Sequence, residues 1–299
     1  MFKRVGLFII TNIAIMAMIT IVINVFGLEP YMSQYGQNYQ SLLIFCAIFG
    51  MGGSFISLQI SRWMAKRSMG VQLIEGNGQF SGLYNTVQRL SNSANLPKMP
   101  EVGIYNSPEV NAFATGPSKS KALVAVSTGL LDSMTQDEVE GVLAHEIAHI
   151  ANGDMVTLTL IQGVVNTFVM FFARIAAFAV QNALRSDDDE GEGMGFFLNF
   201  ALIMVFQMVF GLLGSIVVAF FSRYREYRAD SGAARLAGRE KMIAALKRLE
   251  AQHSAGRFVK NEDQAINAMK ISSKDGLMAL LSTHPPLSSR IKALEMNAR

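Results

Sequence analysis

The chain has 299 residues, of which 51% are hydrophobic and only 16% charged, with a formal net charge of +3. Soluble domains carry closer to a quarter charged residues, so this composition indicates a membrane protein. The weak positive charge includes no dense basic run, which argues against nucleic acid as a partner. The single cysteine, Cys46, excludes an intramolecular disulfide and a cysteine-based metal site.

Four apolar segments are long enough to cross a bilayer, which takes about 20 residues of helix. The first is uncharged and too long for a signal peptide, so we expect a retained anchor. The second contains three glycines, which suit close helix packing in lipid. The third carries Arg174 near its far end, and imperfect spanning by the third and fourth segments stays open as an alternative. The segments are residues 5–28, 41–60, 155–184 and 196–222.

Lysine and arginine residues cluster on one side of these segments. They precede the first segment and follow the second and the fourth, whereas the loops 29–40 and 185–195 contain only Arg185, among acidic residues. Because cytoplasmic loops carry the excess of lysine and arginine, the basic side is expected to face the cytoplasm. Both termini would then be cytoplasmic, in a multi-pass protein.

A soluble domain split by the third and fourth segments is the expected organisation. Residues 101–105 and 121–127 are predicted strands because they are β-branched and bounded by turn residues, and 111–115 is a weaker candidate. Helical periodicity is present within 76–98, 239–252 and 287–296. The expected divisions are an anchor of two transmembrane helices at 1–61, the first half of the domain at 62–154, the membrane segments at 155–222 and the second half at 223–299.

The motif His145-Glu146-Ile147-Ala148-His149 carries the chemistry of this domain. A capping box that begins at Thr135 predicts that it lies on a helix, which places the two imidazoles one turn apart on one face. Two such imidazoles can bind zinc, which lowers the pKa of a bound water toward 7, and Glu146 can take that water's proton. A buried helix with two hydrogen-bonded histidines is the alternative.

A catalytic zinc needs a third protein ligand, and the region after the fourth membrane segment offers one. Glu226 and Asp230 lie four residues apart on a predicted helix. A hairpin of two membrane helices returns the chain to the leaflet that it left, so Glu226 can meet His149 across a long sequence separation. A solvent-exposed ion pair with neighbouring arginines is the alternative for Glu226.

The chain resembles the HtpX family of membrane metalloproteases, which is related to the CAAX prenyl proteases within the gluzincins. The resemblance implies that His145, His149 and Glu226 bind one zinc ion, that Glu146 is the general base and that Asp230 orients a ligand histidine. It is carried by the two N-terminal membrane segments and by "NAFATG" at 111–116, "VAVSTGLL" at 124–131, "AHEIAHIANGDM" at 144–155, "REYRAD" at 225–230 and "STHPP" at 282–286.

Two further residues are candidates at the substrate cleft. His284 would stabilise the oxyanion of the tetrahedral intermediate, or would be a histidine held near a helix start by two prolines. Asn111 resembles a family position that holds substrate backbone or oxyanion, or would be a turn residue before a strand. If a strand such as 121–127 forms an open edge beside the motif helix, an extended polypeptide can add to it by backbone hydrogen bonds.

These features predict an α-helical membrane protein with a cytoplasmic α+β zincin-like metalloprotease domain. The expected activity is a zinc endopeptidase with polypeptide substrates, embedded in a lipid bilayer. The resemblance implies the bacterial cytoplasmic (inner) membrane and quality control of misfolded membrane proteins under stress. Four alternatives remain: an intramembrane protease, a prenyl-protein processor, an inactive scaffold and a transporter.

Overall fold

The computed structural model describes residues 38–184, 192–254 and 281–296. The first expected membrane segment, 5–28, lies outside these residues. The elements are α1 Tyr39–Ser68, β1 Gln72–Leu73, α2 Ser81–Ser93, β2 Glu101–Tyr105, β3 Ala112–Ser118, β4 Lys121–Ser127, α3 Thr128–Ser133, α4 Gln136–Asn152, α5 Asp154–Leu184, α6 Glu192–Ala237, α7 Arg239–Ser254 and α8 Leu287–Met296.

The chain divides into two compact units, each built from two stretches of sequence. The boundaries fall inside α1, α5 and α6, so no loop or linker marks them. The first unit is Met1–Ile56 with Thr159–Val218, and the second is Ser57–Leu158 with Ala219–Arg299.

Within the described residues, three helices are long and apolar enough to cross a membrane: α1, α5 and the part of α6 from Phe197 to Ala237. In the first unit, α1 and α5 approach closely at a glycine, because a Cβ added to Gly50 would lie 2.6 Å from Thr167 Oγ1. Small residues permit such contacts between helices in lipid. Arg174 lies in the continuous helix α5, with its guanidinium carbon 5.4 Å from the centre of the Phe45 ring, a cation–π contact that offsets part of the cost of the charge.

The second unit contains a four-stranded sheet in the order β1-β2-β4-β3. Strand β4 pairs in parallel with β2, and antiparallel with β3. The condition that residues 121–127 form an open edge is therefore not met, since this strand is paired on both sides. Ala122–Val126 is a continuous buried apolar run, which suits an interior strand covered on both faces.

The edge strand next to the motif helix is instead β3, which packs against α4. It extends three residues beyond the weak candidate at 111–115 and contains Gly116 and Pro117, residues that are typical of an edge strand. Asn111 lies immediately before β3.

Helix α4 begins at the predicted capping box. The Thr135 side chain accepts a hydrogen bond from the Glu138 backbone N–H, and the Glu138 carboxylate accepts one from the Thr135 N–H. The helix ends at Gly153, whose left-handed conformation (φ 73°) closes the last turn. Helix α5 begins at the next residue, so the motif helix and a candidate membrane helix are joined without a loop.

The buried stripe of α4 fixes the direction of the motif. Leu143, Ile147 and Ile150 are fully buried in the core formed with the sheet and with helices α2, α7 and α8. At 100° per residue, His145 is turned about 200° from Leu143 around the helix axis. The side chains of His145 and His149 consequently point away from the sheet core and toward α6 and the cleft.

Candidate active site

The two motif histidines project from one face of α4 toward a common point. Their Nε2 atoms lie 3.1 Å apart, and His145 is only 8% exposed. Their spacing of one helical turn makes this arrangement possible without distortion of the backbone.

Each imidazole is held by a carboxylate at its other nitrogen. His145 Nδ1 lies 3.0 Å from Asp230 Oδ1, and His149 Nδ1 lies 2.8 Å from Asp154 Oδ2. An imidazole that donates from Nδ1 presents a lone pair at Nε2. Two lone pairs facing each other at 3.1 Å repel, so this geometry suits a cation placed between them.

Glu226 supplies a third candidate ligand from α6. Its carboxylate is 2% exposed, with Oε2 at 3.4 Å from His145 Nε2 and Oε1 at 3.3 Å from His149 Nε2. The candidate ligand atoms of His145, His149 and Glu226 all lie within 4.8 Å of one another. Two imidazoles and a carboxylate with a fourth position toward a cleft is a donor set that fits catalytic zinc.

The electrostatics around the histidines favour positive charge. Burial lowers the pKa of His149, but hydrogen bonds to Asp154 and Glu226 outweigh it and raise that pKa to about 9. Burial likewise opposes protonation of His145, and its bonds to Asp230 and Glu226 raise its pKa overall. Several carboxylates thus converge on a small space, and a divalent cation bound there would neutralise their negative charge.

Glu146 lies beside the histidines and faces the cleft. Burial raises the pKa of its carboxyl group, while the backbone N–H of Ala114 on β3 donates a hydrogen bond to it. The edge strand therefore positions this carboxylate. A carboxylate whose pKa is raised holds a proton more readily than an ordinary carboxylate, which suits a group that accepts and releases a proton.

The cleft next to these residues has a volume of about 770 Å³ and is lined mainly by apolar side chains. Asn111, which the sequence places at the cleft, lines it and is exposed. His284 also lines it, from the loop before α8, with its Nδ1 3.0 Å from Glu226 Oε2. The structure thus brings both residues to the site, with His284 directed at the third candidate ligand.

Sequence reasoning missed two residues that contact this group. The first is Asp154, whose Oδ2 lies 2.8 Å from His149 Nδ1 and whose Oδ1 lies 3.0 Å from Arg228 Nη2. The signal was its position directly after Gly153, because a left-handed turn brings the next residue back toward the last turn of the helix.

The second missed residue is Arg290 of α8. It is 6% exposed and makes two hydrogen bonds to Asp230, of 2.8 Å and 2.6 Å, while its Nη1 lies 3.3 Å from Glu226 Oε2. The available signal was the spacing of Leu287, Arg290, Ile291 and Leu294, in which a charge occupies a position of the buried stripe.

Residues 78–298 of the chain match Peptidase family M48, and the chain belongs to that family, whose members are metalloproteases. It is 54% identical over 294 residues to Protease HtpX of Shewanella halifaxensis (strain HAW-EB4), covering 98% of this chain and 99% of that relative. It is 53% identical over 295 residues to Protease HtpX of Shewanella oneidensis, with the same coverage. The resemblance to HtpX-type membrane metalloproteases and the expected peptidase activity are confirmed.

The fold is also similar to a solved structure. The crystal structure of S. mikatae Ste24p superimposes with a TM-score of 0.60 at 17% sequence identity, covering 96% of this chain and 66% of that chain. At this identity the likeness concerns the fold alone. It supports a helical membrane protein that carries a metalloprotease fold.

Proposed function

We propose that the chain is a zinc-dependent endopeptidase of the bacterial inner membrane that cuts extended segments of membrane proteins on the cytoplasmic side. The observation that carries this proposal is the convergence of His145, His149 and Glu226 beside Glu146 in an open cleft. The distribution of lysine and arginine around the apolar segments supports the cytoplasmic orientation.

In this proposal His145, His149 and Glu226 hold one zinc ion, and Asp230 orients His145. When bound, zinc supplies Lewis acidity and lowers the pKa of a water molecule toward 7. Glu146 accepts the proton of the attacking water and passes it to the amine that leaves. His284 and Asn111 lie at the cleft, where each can donate a hydrogen bond to the developing oxyanion or to substrate backbone.

The edge strand β3 supports binding of an extended polypeptide. The Ser127 N–H donates to the Asn111 carbonyl, so in this antiparallel register every second residue of β3 bonds to β4 and the backbone groups of Ala112 and Ala114 face away from it. One of these groups, the Ala114 N–H, donates to Glu146. Substrate that adds to this edge would lie next to the base, and binding through backbone groups is weakly sequence-selective. Such selectivity suits misfolded substrates.

The test uses the full chain, purified in detergent without metal. Adding zinc should start cleavage of an unfolded reporter, and Glu146→Gln should remove at least about 99% of that activity, as is typical when a general base is lost, while leaving zinc binding intact. Glu295→Gln, an exposed carboxylate on α8, serves as the matched control and should cleave like the native chain. If both the native chain and Glu146→Gln bind zinc and neither cuts the reporter, the endopeptidase proposal fails.

A further inference from the structure

The second unit carries its own markers of a membrane–water boundary. On α6 the exposed Phe220 and Phe221 are followed by the half-buried Arg223 and by Tyr224, which is 66% exposed. On α1 the exposed side chains change from Ile60 to Trp63, 63% exposed, followed by Lys66 and Arg67. Tryptophan, tyrosine and basic residues collect where a spanning helix leaves the hydrocarbon.

The length of α6 requires that such a boundary fall within it. The part of α6 from Phe197 to Ala237, which contains the apolar window, has 41 residues, which corresponds to roughly 60 Å of helix, about twice the thickness of a hydrocarbon core. Only part of it can lie in lipid. The change at Phe221–Tyr224 is where the lipid-compatible surface ends.

The candidate metal site lies close to this boundary. Glu226 follows Phe221 by five residues on the same continuous helix, a rise of roughly 8 Å along its axis. On the other side of the site, Asp154 holds His149 and is the residue directly before Met155, the first residue of the next apolar segment. The stretch from Phe221 to Glu226 and the stretch from His149 to Met155 each connect the site to an apolar segment. Each of these stretches is shorter than two helical turns.

The cleft itself reaches the boundary. Arg223, which lies two residues beyond Phe221, lines the same cavity as His145 and Glu146. Its Nη1 donates a 2.8 Å hydrogen bond to the carbonyl of Ser282, in the loop that carries His284. One wall of the cleft is thus at the level where lipid headgroups would be, whereas Leu249 and Glu250 of α7 line another part of it.

We infer, resting on the endopeptidase function proposed above, that the substrates are the juxtamembrane segments of membrane proteins: chain within about ten residues of the end of a transmembrane helix. A strand advances about 3.3 Å per residue, so a substrate leaving the bilayer crosses the roughly 8 Å to the site, and fills the cleft, within that length. A peptide bond held farther from the bilayer by rigid structure does not reach Glu146.

The test measures how fast the full-length enzyme cuts three membrane reporters, each placed with it in the same lipid vesicles. Two of the reporters differ only in a spacer. Each has a transmembrane helix, a 20-residue spacer and one unstructured cleavable segment. In one the spacer is a rigid helix, which holds the segment about 30 Å from the bilayer. In the other it is a flexible glycine–serine chain of the same length, which can fold back toward the membrane. A third reporter has the cleavable segment directly after the transmembrane helix.

We expect the adjacent segment to be cut fastest, and the rigid spacer to slow cleavage by about tenfold or more relative to the flexible spacer, since only the flexible chain retains an effective concentration at the site. Equal cleavage of the rigid and flexible reporters would overturn the inference. The same cleavable segment on a soluble unfolded chain is the control for activity. If the zinc-loaded enzyme does not cut this soluble chain, the proposed endopeptidase function fails. If the enzyme cuts the soluble chain but none of the membrane reporters, only the juxtamembrane inference fails.

Discussion

Two histidine–carboxylate–arginine chains of similar form surround the candidate metal site. One runs from His145 through Asp230 to Arg290. The other runs from His149 through Asp154 to Arg228. In each, the carboxylate fixes the tautomer and orientation of an imidazole, and the arginine fixes the carboxylate. They differ in burial, because Arg290 is enclosed whereas the Arg228 side chain is 48% exposed.

Replacing Asp154 tests whether His149 depends on this support. We expect Asp154→Ala to lower zinc affinity by about 10- to 100-fold, because the imidazole loses the acceptor that holds its Nδ1–H, and Asp154→Asn, which keeps one oxygen, to lose less. Competition with a chromogenic chelator measures the affinity. Asp137→Asn removes an exposed carboxylate from the first turn of α4, the helix that carries His149, and should leave the zinc affinity unchanged. Native affinity in a folded Asp154→Ala protein would contradict the role.

Replacing Arg290 should show its effect first in stability. Arg290→Gln leaves the buried carboxylates of Asp230 and Glu226 without their cation, which costs about 3–5 kcal/mol of unfolding free energy for a broken buried pair. Arg290→Lys should retain only part of this unfolding free energy, because an ammonium group cannot make the paired hydrogen bonds of a guanidinium group. Thermal unfolding in detergent measures the difference.

The control for Arg290 is an exposed ion pair made by the same helix through Glu295. Lys247→Gln removes an exposed ion pair between α7 and Glu295 of α8, and it should alter unfolding by no more than about 1 kcal/mol. If Arg290→Gln unfolds at the same temperature as Lys247→Gln, the buried arginine does not stabilise the site.

At the scale of elements, the site depends on how closely α6 approaches α4. Ala148, within the motif, faces Gly232, and a Cβ added to Gly232 would lie 2.8 Å from the Ala148 Cβ. Neither atom can move without its backbone. The close approach places Glu226, almost two turns earlier on α6, against both imidazoles.

Gly232→Ala should separate these helices. We expect a loss of about 1–3 kcal/mol in stability, typical of overpacking, together with weaker zinc binding, because Glu226 moves with α6. Adding Ala148→Gly removes the opposing methyl group and should restore zinc affinity, although glycine within the helix itself costs about 1 kcal/mol. Gly82→Ala, on α2 with nothing within 4 Å, is the matched control. Native zinc affinity in Gly232→Ala would show that the spacing is not required.

At the scale of the whole molecule, candidate membrane helices and candidate metal ligands are parts of the same elements. Helix α6 contributes both apolar surface and Glu226, and α4 passes into α5 through Gly153 alone. The protease domain is assembled from two stretches of sequence that these helices connect, so a metal bound between α4 and α6 would stabilise the fold as well as serve the chemistry.

Removal of zinc should therefore destabilise the protein. A ligand at 100 times its dissociation constant adds about 2.7 kcal/mol to the folded state, and a chelator should lower the unfolding temperature accordingly. Glu146→Gln keeps the three ligands and should show the same zinc-dependent shift as the native chain, whereas His149→Ala should show almost none. A chelator that strips the metal without changing the melting temperature would contradict this coupling.

The sequence by itself determined the local features: the apolar segments described by the structure, the strands at 101–105 and 121–127, the capping box at Thr135 and the spacing of His145 and His149. These depend on periodicity, propensity and short-range hydrogen bonds, which neighbouring residues encode. Motif patterns also determined the family.

Only the tertiary structure decided which strand lies at the edge, and that Asp154 and Arg290 complete the group around the histidines. Strand order depends on pairing across a crossover between β2 and β4, and an apolar run in β4 does not reveal which neighbours will cover it. Arg290 reaches Asp230 across 60 residues of sequence. A buried ion pair of this kind forms where packing brings two helices together, and nothing in the spacing along either helix specifies its partner.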